Sequence, residues 1–338
     1  MTTGLPFDDI RALFKLMPIA DAESAALARA HEAQLTKPPG ALGQLEAISE
    51  WMSSWQATHP PRAERVVVAV FAGNHGVVAQ GVAAYPQAVT VQMVANFQNG
   101  GAAVNQICKT FDLGLKVFEL ALEHPTADIT LEPALSEQEC AATFAYGMEA
   151  IAGGCDLLCV GEMGIGNTTI AAALCHGLFG GTAEEWVGPG TGVDAEGIKR
   201  KADAVRRAVV LHKGHLGDPL ELLRRLGGRE LAAMAGAILA ARMERVPVLI
   251  DGYVASAAAA VLFAADPSAL DHCMAAHCSA EPAHRKLLAK LGKKPLLDLG
   301  MRLGEGSGAA LAAGLVKAAV KCHNDMATFA SAGVANKD

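Results

Sequence analysis

Leu157-Leu158-Cys159-Val160, followed by Gly161-Glu162-Met163-Gly164-Ile165-Gly166-Asn167-Thr168-Thr169, is the stretch on which the fold turns. Four apolar residues read as a short buried strand. The glycines behind them read as a turn, and Ile170 to Leu178 is compatible with a helix. The same alternation recurs along the chain. Apolar or β-branched runs at Val66–Phe71, Lys116–Leu120, Val246–Ile250, His272–Ala276 and Pro295–Leu299 are flanked by Gly, Asn, Asp and Pro and separated by helical segments. Strand–helix alternation predicts an α/β fold, a parallel sheet with helices on both faces. In such sheets ligands bind beyond the carboxyl ends of the strands, so residues just after each run are the candidates for chemistry.

Outside this region the chain reads as helical. Residues 20–35 and 42–56 are amphipathic, with Trp51 and Trp55 on one face, and Pro38-Pro39-Gly40 must break the helix between them. An Ala-rich stretch, about 308–333, closes the chain. We expect residues 1–60 and 309–338 to form a small helical domain, and 61–308 a large α/β catalytic domain.

Composition narrows the function. The net charge is −7, with no long run of Lys and Arg, so nucleic acid is not an expected partner. The longest apolar stretch, Val254 to Ala265, is too short for a membrane span, and no signal peptide is visible, so a cytoplasmic location is expected. Eight scattered Cys without a CxxC read as free thiols.

Three Gly-rich segments carry candidate chemistry. Gly164 to Thr169 at a helix start offers backbone N–H groups and a helix dipole to an anion, with Asn167 and two Thr as further donors. It lacks the Lys of a P-loop and does not match GxGxxG. Gly188-Pro189-Gly190-Thr191-Gly192-Val193-Asp194 precedes a charged helix with Lys199 and Lys201 and also suits a phosphate. In Met301-Arg302-Leu303-Gly304-Glu305-Gly306-Ser307-Gly308, apolar neighbours would lift the proton affinity of Glu305 toward a general base's range, although a Glu there can also simply complement a helix dipole. Glu162 and Asp251 each stand just after a strand, where a carboxylate can face a ligand or cap a helix. His272-Cys273, His277-Cys278, Glu281 and His284 match no standard zinc spacing, so core or supporting roles are expected and no metal. His75, in Asn74-His75-Gly76, could bond a ligand or a backbone carbonyl.

These segments, with Leu35-Thr36-Lys37-Pro38-Pro39-Gly40-Ala41-Leu42-Gly43, Asn74-His75-Gly76-Val77 and Ala84-Tyr85-Pro86-Gln87, occur in one order from about residue 20 to 333. In this the chain resembles the nicotinate-nucleotide–dimethylbenzimidazole phosphoribosyltransferases. The resemblance implies a Rossmann-like six-stranded sheet, a homodimer, and no cofactor or metal. It implies transfer of phosphoribose from nicotinate mononucleotide to 5,6-dimethylbenzimidazole. Glu305 matches the general base. Glu162, Gly164, Ile165, Gly166, Asn167, Thr168, Gly190, Thr191, Gly192, Lys201 and Asp251 fall to the nucleotide; Lys199 competes with Lys201. Tyr85, Gln92, Met301 and Leu303 fall to the base pocket. The family often has Asp in place of Asn74 and Gly in place of Ala283. The alternatives are a nucleotide or nucleoside hydrolase and a non-catalytic carrier of a base or nucleotide.

Overall fold

The structure, a computed structural model, describes residues 6–336; both outermost ends of the expected small helical domain lie outside them. Six strands form one parallel sheet in the order β2-β1-β3-β4-β5-β6: β1 Val66–Ala72, β2 Gly114–Glu119, β3 Leu157–Met163, β4 Val248–Ile250, β5 Cys273–His277 and β6 Pro295–Leu297. The chain runs outward from β1 to β2 and returns to β3 on the other side of β1. The switch point therefore lies between β1 and β3, where a doubly wound sheet opens a crevice.

Side chains alternate between two cores, as the two-residue period of a strand requires. Ala69, Phe71, Leu158, Val160, Val248 and Ile250 face one apolar cluster, whereas Val66, Val68, Val70, Leu157, Cys159 and Leu249 face the other. Helices α1 (Pro6–Phe14), α6 (Glu137–Met148), α7 (Asn167–Phe179), α8 (Ala195–His212), α9 (Pro219–Leu226), α10 (Arg229–Met243), α11 (Tyr253–Ala265) and α12 (Pro282–Lys290) supply the first cluster. Helices α3 (Gln44–Gln56), α4 (Ala88–Gln98), α5 (Ala103–Phe111) and α13 (Ser307–Asp325) supply the second. Helix α2 (Ala22–Glu32) packs on α3, with Asp21 capping its first turn through the Ser24 N–H. The described cysteines are free, seven of them buried and Cys322 half-buried.

The boundaries differ from the sequence expectation for local reasons. β3 runs on to Met163 because β1 offers it partners as far as Ala72, so Glu162 is a strand residue rather than a follower. β4 starts two residues late because the Val246 N–H closes the end of α10 on Ala241. His272 precedes β5. β6 ends at Leu297, and Asp298 turns away to pair with Arg285 at 2.6 Å. The Ala-rich stretch is not one helix. It breaks at Met326, where residues 327 and 328 bond back to Thr36 and Leu35, and resumes as α14 (Phe329–Ala332) under a Thr328 cap.

Candidate active site

A cleft enclosing about 580 Å³ of space between atoms, open solvent included, lies at the carboxyl ends of β3, β4 and β5. Met163 to Ile165, Asn167 and Thr168 form one wall, Gly190 and Thr191 another, and Arg302, Leu303 and Gly304 a third.

The first wall is the start of α7. Gly166 has φ +94°, a conformation glycine adopts without strain, and this lets the chain swing from β3 into the helix. The Ile165 N–H donates to the buried Thr90 hydroxyl at 3.2 Å, fixing the turn to α4. A side chain at 166 would meet Val78 Cγ2 at 2.8 Å. We therefore expect Gly166→Val to weaken nucleotide binding about 10- to 100-fold through backbone strain of roughly 1–3 kcal/mol, with base binding little changed. Calorimetric titration of each ligand checks this; equal losses would contradict the turn's assignment.

Behind Thr168 and Gly190 lies Lys201. Its ammonium, fully buried, donates to Thr168 Oγ1 and to the Gly188 carbonyl, both at 2.8 Å. Burial pulls its pKa down to about 8, against the opposing pull of Glu281. Lys199, two residues earlier on α8, is exposed and pairs with Glu196. Of the two, Lys201 alone is in reach of both Gly-rich loops. The Gly192 N–H is engaged with Pro189 O, so Gly192 shapes the loop and does not line the cleft.

Residues 304–306 are three consecutive positions with positive φ: +79°, +64° and +73°. Such a conformation is costly for Glu305 and persists only where its surroundings over-determine it. Here they do. The Glu305 N–H donates to the Glu162 carbonyl at 3.1 Å, and the Ser307 hydroxyl to the Gly304 carbonyl at 2.6 Å. Asp251 accepts from the Gly306 N–H at 3.2 Å and the Ala309 N–H at 2.8 Å. Gly161 has no Cβ, and one there would overlap the Gly306 backbone. Thus β3, β4 and the first turn of α13 converge on one carboxylate. Glu305 Oε2 is buried and has no hydrogen-bond partner among the described residues. Burial, with Asp251 adding repulsion, raises its pKa to about 7. Burial, with Asp251 again, raises Glu162 to about 8, while the Asn167 side chain donates to it and pulls the other way. Burial thus lifts both carboxyls well above the usual carboxylate range.

Not every candidate lines the cleft. Asp251, expected beside the nucleotide, has both oxygens on backbone N–H groups and holds the Glu305 turn in place. Of the base-pocket candidates Leu303 lines the cleft; Met301 does not, and Tyr85 and Gln92 are exposed outside it. His75 pairs with a carboxylate: its Nε2 lies 2.6 Å from Glu230 Oε1, both side chains fully buried. His272 bonds the Ile238 carbonyl at 3.0 Å. The cleft also includes Gly252, Tyr253 and Val254 after β4, His277 and Glu281 at and after β5, and Arg302, which bonds the Gly190 carbonyl at 3.0 Å. The sequence reading assigns none of these to a ligand, although their places after strand ends could have flagged them.

A parallel sheet with two Gly-rich turns, a buried lysine and two carboxyls of raised pKa beyond the carboxyl ends of β3 and β4 defines an α/β enzyme whose site suits a phosphorylated ligand. The profile of the family described as Phosphoribosyltransferase matches residues 17–334. Nicotinate-nucleotide–dimethylbenzimidazole phosphoribosyltransferases of Sinorhizobium fredii and Rhizobium rhizogenes are each 68% identical, over 336 and 335 residues, covering 99% of both chains. The crystal structure of the enzyme so named from Thermus thermophilus superposes with a TM-score of 0.86 at 42% identity, over 94% of this chain and 100% of that one. The chain belongs to the nicotinate-nucleotide–dimethylbenzimidazole phosphoribosyltransferase family and is a phosphoribosyltransferase. Among the described residues no helix is long and apolar enough to cross a membrane.

Proposed function

We propose that the protein transfers the phosphoribosyl group of nicotinate mononucleotide to 5,6-dimethylbenzimidazole, giving α-ribazole 5′-phosphate and nicotinate. The observation that carries this is the Glu305 carboxyl, buried, with no partner on one oxygen among the described residues and raised to about 7, next in the chain to Gly304, which lines a cleft whose other walls are Gly-rich turns. The nucleotide phosphate lies on the 164–168 and 190–191 loops with Lys201 behind them. The bond between C1′ and the nicotinate nitrogen breaks with its electron pair going to that nitrogen, which becomes neutral. A benzimidazole nitrogen forms the new bond from the opposite face, inverting C1′. The proton on its second nitrogen passes to Glu305. Positive charge that builds on the ribose is stabilised by the negative field of Asp251, held behind the cleft on the Gly306 and Ala309 N–H groups. One cleft holding both substrates supplies orientation.

We read the enzyme as a homodimer, as the resemblance implies, and from its charge and apolar pattern as a cytoplasmic protein that takes no nucleic acid. Incubating nicotinate mononucleotide with and without dimethylbenzimidazole, and weighing the products by mass spectrometry, tests the function. Nicotinate release that needs the base supports transfer; release without it makes the protein a hydrolase.

The shifted pKa values of Glu305 and Lys201 set a pH dependence. Glu305 must be ionised to take a proton, so kcat/KM should rise with pH through about 7. Lys201 loses its charge above about 8, so nucleotide capture should weaken there. A bell-shaped kcat/KM profile for the nucleotide is expected; a flat one from about pH 6 to about pH 9 would contradict both assignments.

A further inference from the structure

Three histidines cluster on and around β5, and two are fully accounted for. His272 bonds the Ile238 carbonyl. His284 Nδ1 accepts from the Ser279 N–H at 2.7 Å, which leaves its proton on Nε2 to donate to Ser256 Oγ at 2.9 Å. His277 is different. It is 2% exposed and lines the cleft, yet among the described residues neither ring nitrogen makes a hydrogen bond. Its ring is held by shape instead. A Cβ at Gly308, in the first turn of α13, would overlap it, and one at Gly252 would lie 3.5 Å from Nε2. The fold thus keeps two glycines beside a polar ring it does not hydrogen-bond.

Orientation follows from Asp251. His277 Nε2 lies 3.5 Å from Asp251 Oδ1. A bare nitrogen lone pair facing a carboxylate is repelled, so in the neutral imidazole Nε2 carries the proton and Nδ1 is the acceptor. The ring lines the cleft and its acceptor nitrogen has no donor among the described residues, so a donor on the ligand is its match. A nucleotide phosphate and the carboxylate of nicotinate supply none, and neither does the alkylated pyridine nitrogen. The benzimidazole N–H is matched to Glu305. What remains are the ribose hydroxyls.

We propose that His277 touches substrate, accepting a hydrogen bond from a ribose hydroxyl of the bound nucleotide, with Asp251 fixing its tautomer. This rests on the nucleotide reading of the cleft given above. The contact does more than bind. As C1′ loses nicotinate the ribose becomes cationic, its hydroxyls become better donors, and a hydrogen bond to an acceptor strengthens in the transition state. The contact therefore favours kcat as well as KM.

The test pairs His277→Ala with nicotinate mononucleotide and its 2′-deoxy and 3′-deoxy forms. With the parent nucleotide we expect kcat/KM to fall about 5- to 100-fold, the usual cost of leaving a buried hydroxyl donor unmatched. With one deoxy form the substitution should cost less than about threefold, because the donor is already gone. His277→Gln, which keeps an acceptor, should recover part of the loss, and serves in place of His277→Ala should that variant not fold. An equal loss on all three nucleotides, or none on any, would overturn the proposal. If wild-type protein formed no benzimidazole product, the transfer reading would fail by itself; calorimetric binding of the three nucleotides would still read the His277 coupling.

Discussion

Glu305→Gln is expected to lower turnover about 10²–10⁴-fold, the usual worth of general-base help. The change is isosteric, and the backbone bonds that hold the turn, from Glu305 N–H to Glu162 and from Gly306 N–H to Asp251, do not involve the side chain. Gln can still hydrogen-bond the incoming base but cannot accept its proton. Nucleotide affinity should be nearly unchanged, since the Gly-rich turns and Lys201 are untouched. A loss in kcat and kcat/KM together, with nucleotide Kd preserved, is the signature of an interaction made in the transition state. The rising limb of the pH profile near 7 should also vanish. Near-normal turnover in the variant would remove Glu305 from catalysis and leave it at most a residue that positions the base.

Lys201→Met should act on the other substrate. The ammonium is held by Thr168 Oγ1 and Gly188 O, with no carboxylate within salt-bridge distance among the described residues, so its charge is left for an anion in the cleft. A hydrogen bond to a charged group contributes about 1.5–3 kcal/mol, which predicts a roughly 10- to 100-fold weaker nucleotide Kd. Met has similar length and suits a buried site, so folding should survive. Calorimetry with nucleotide and with base separates the effects. Base affinity should hold, and the falling pH limb near 8 should disappear. Equal losses for both ligands would show that Lys201 supports the cleft as a whole.

The architecture was legible because the buried strands carry their signal locally. Val66–Phe71 and Leu157–Val160 are apolar on both faces, as a sheet covered on both sides requires. The ends were less legible, since a strand stops where its neighbour stops offering partners. Glu162 is strand because Phe71 pairs with it, and Asp298 is not because Arg285 draws it away. The Gly-rich turns could be read directly, since glycine marks positions such as Gly166 and Gly304 whose φ other residues adopt only under strain. Single polar residues could not. Lys199 and Lys201 stand two apart on one helix and point to different sides, and packing alone decides which is buried. Asp251 looks the same in sequence whether it meets a ligand or caps a helix; the N–H groups of Gly306 and Ala309, 55 and 58 residues away, settle its partners. His277 reads in sequence like its neighbours His272 and His284, which are core histidines, and only the cleft beside it sets it apart.

The most direct test of the account is the configuration at C1′ of the product made from nicotinate mononucleotide and dimethylbenzimidazole, read from the anomeric proton by NMR. Attack from the face opposite departing nicotinate, with Glu305 removing the benzimidazole proton, predicts the α-anomer, one per nicotinate released. A β-linked product, or ribose 5-phosphate in place of a nucleotide, would contradict it.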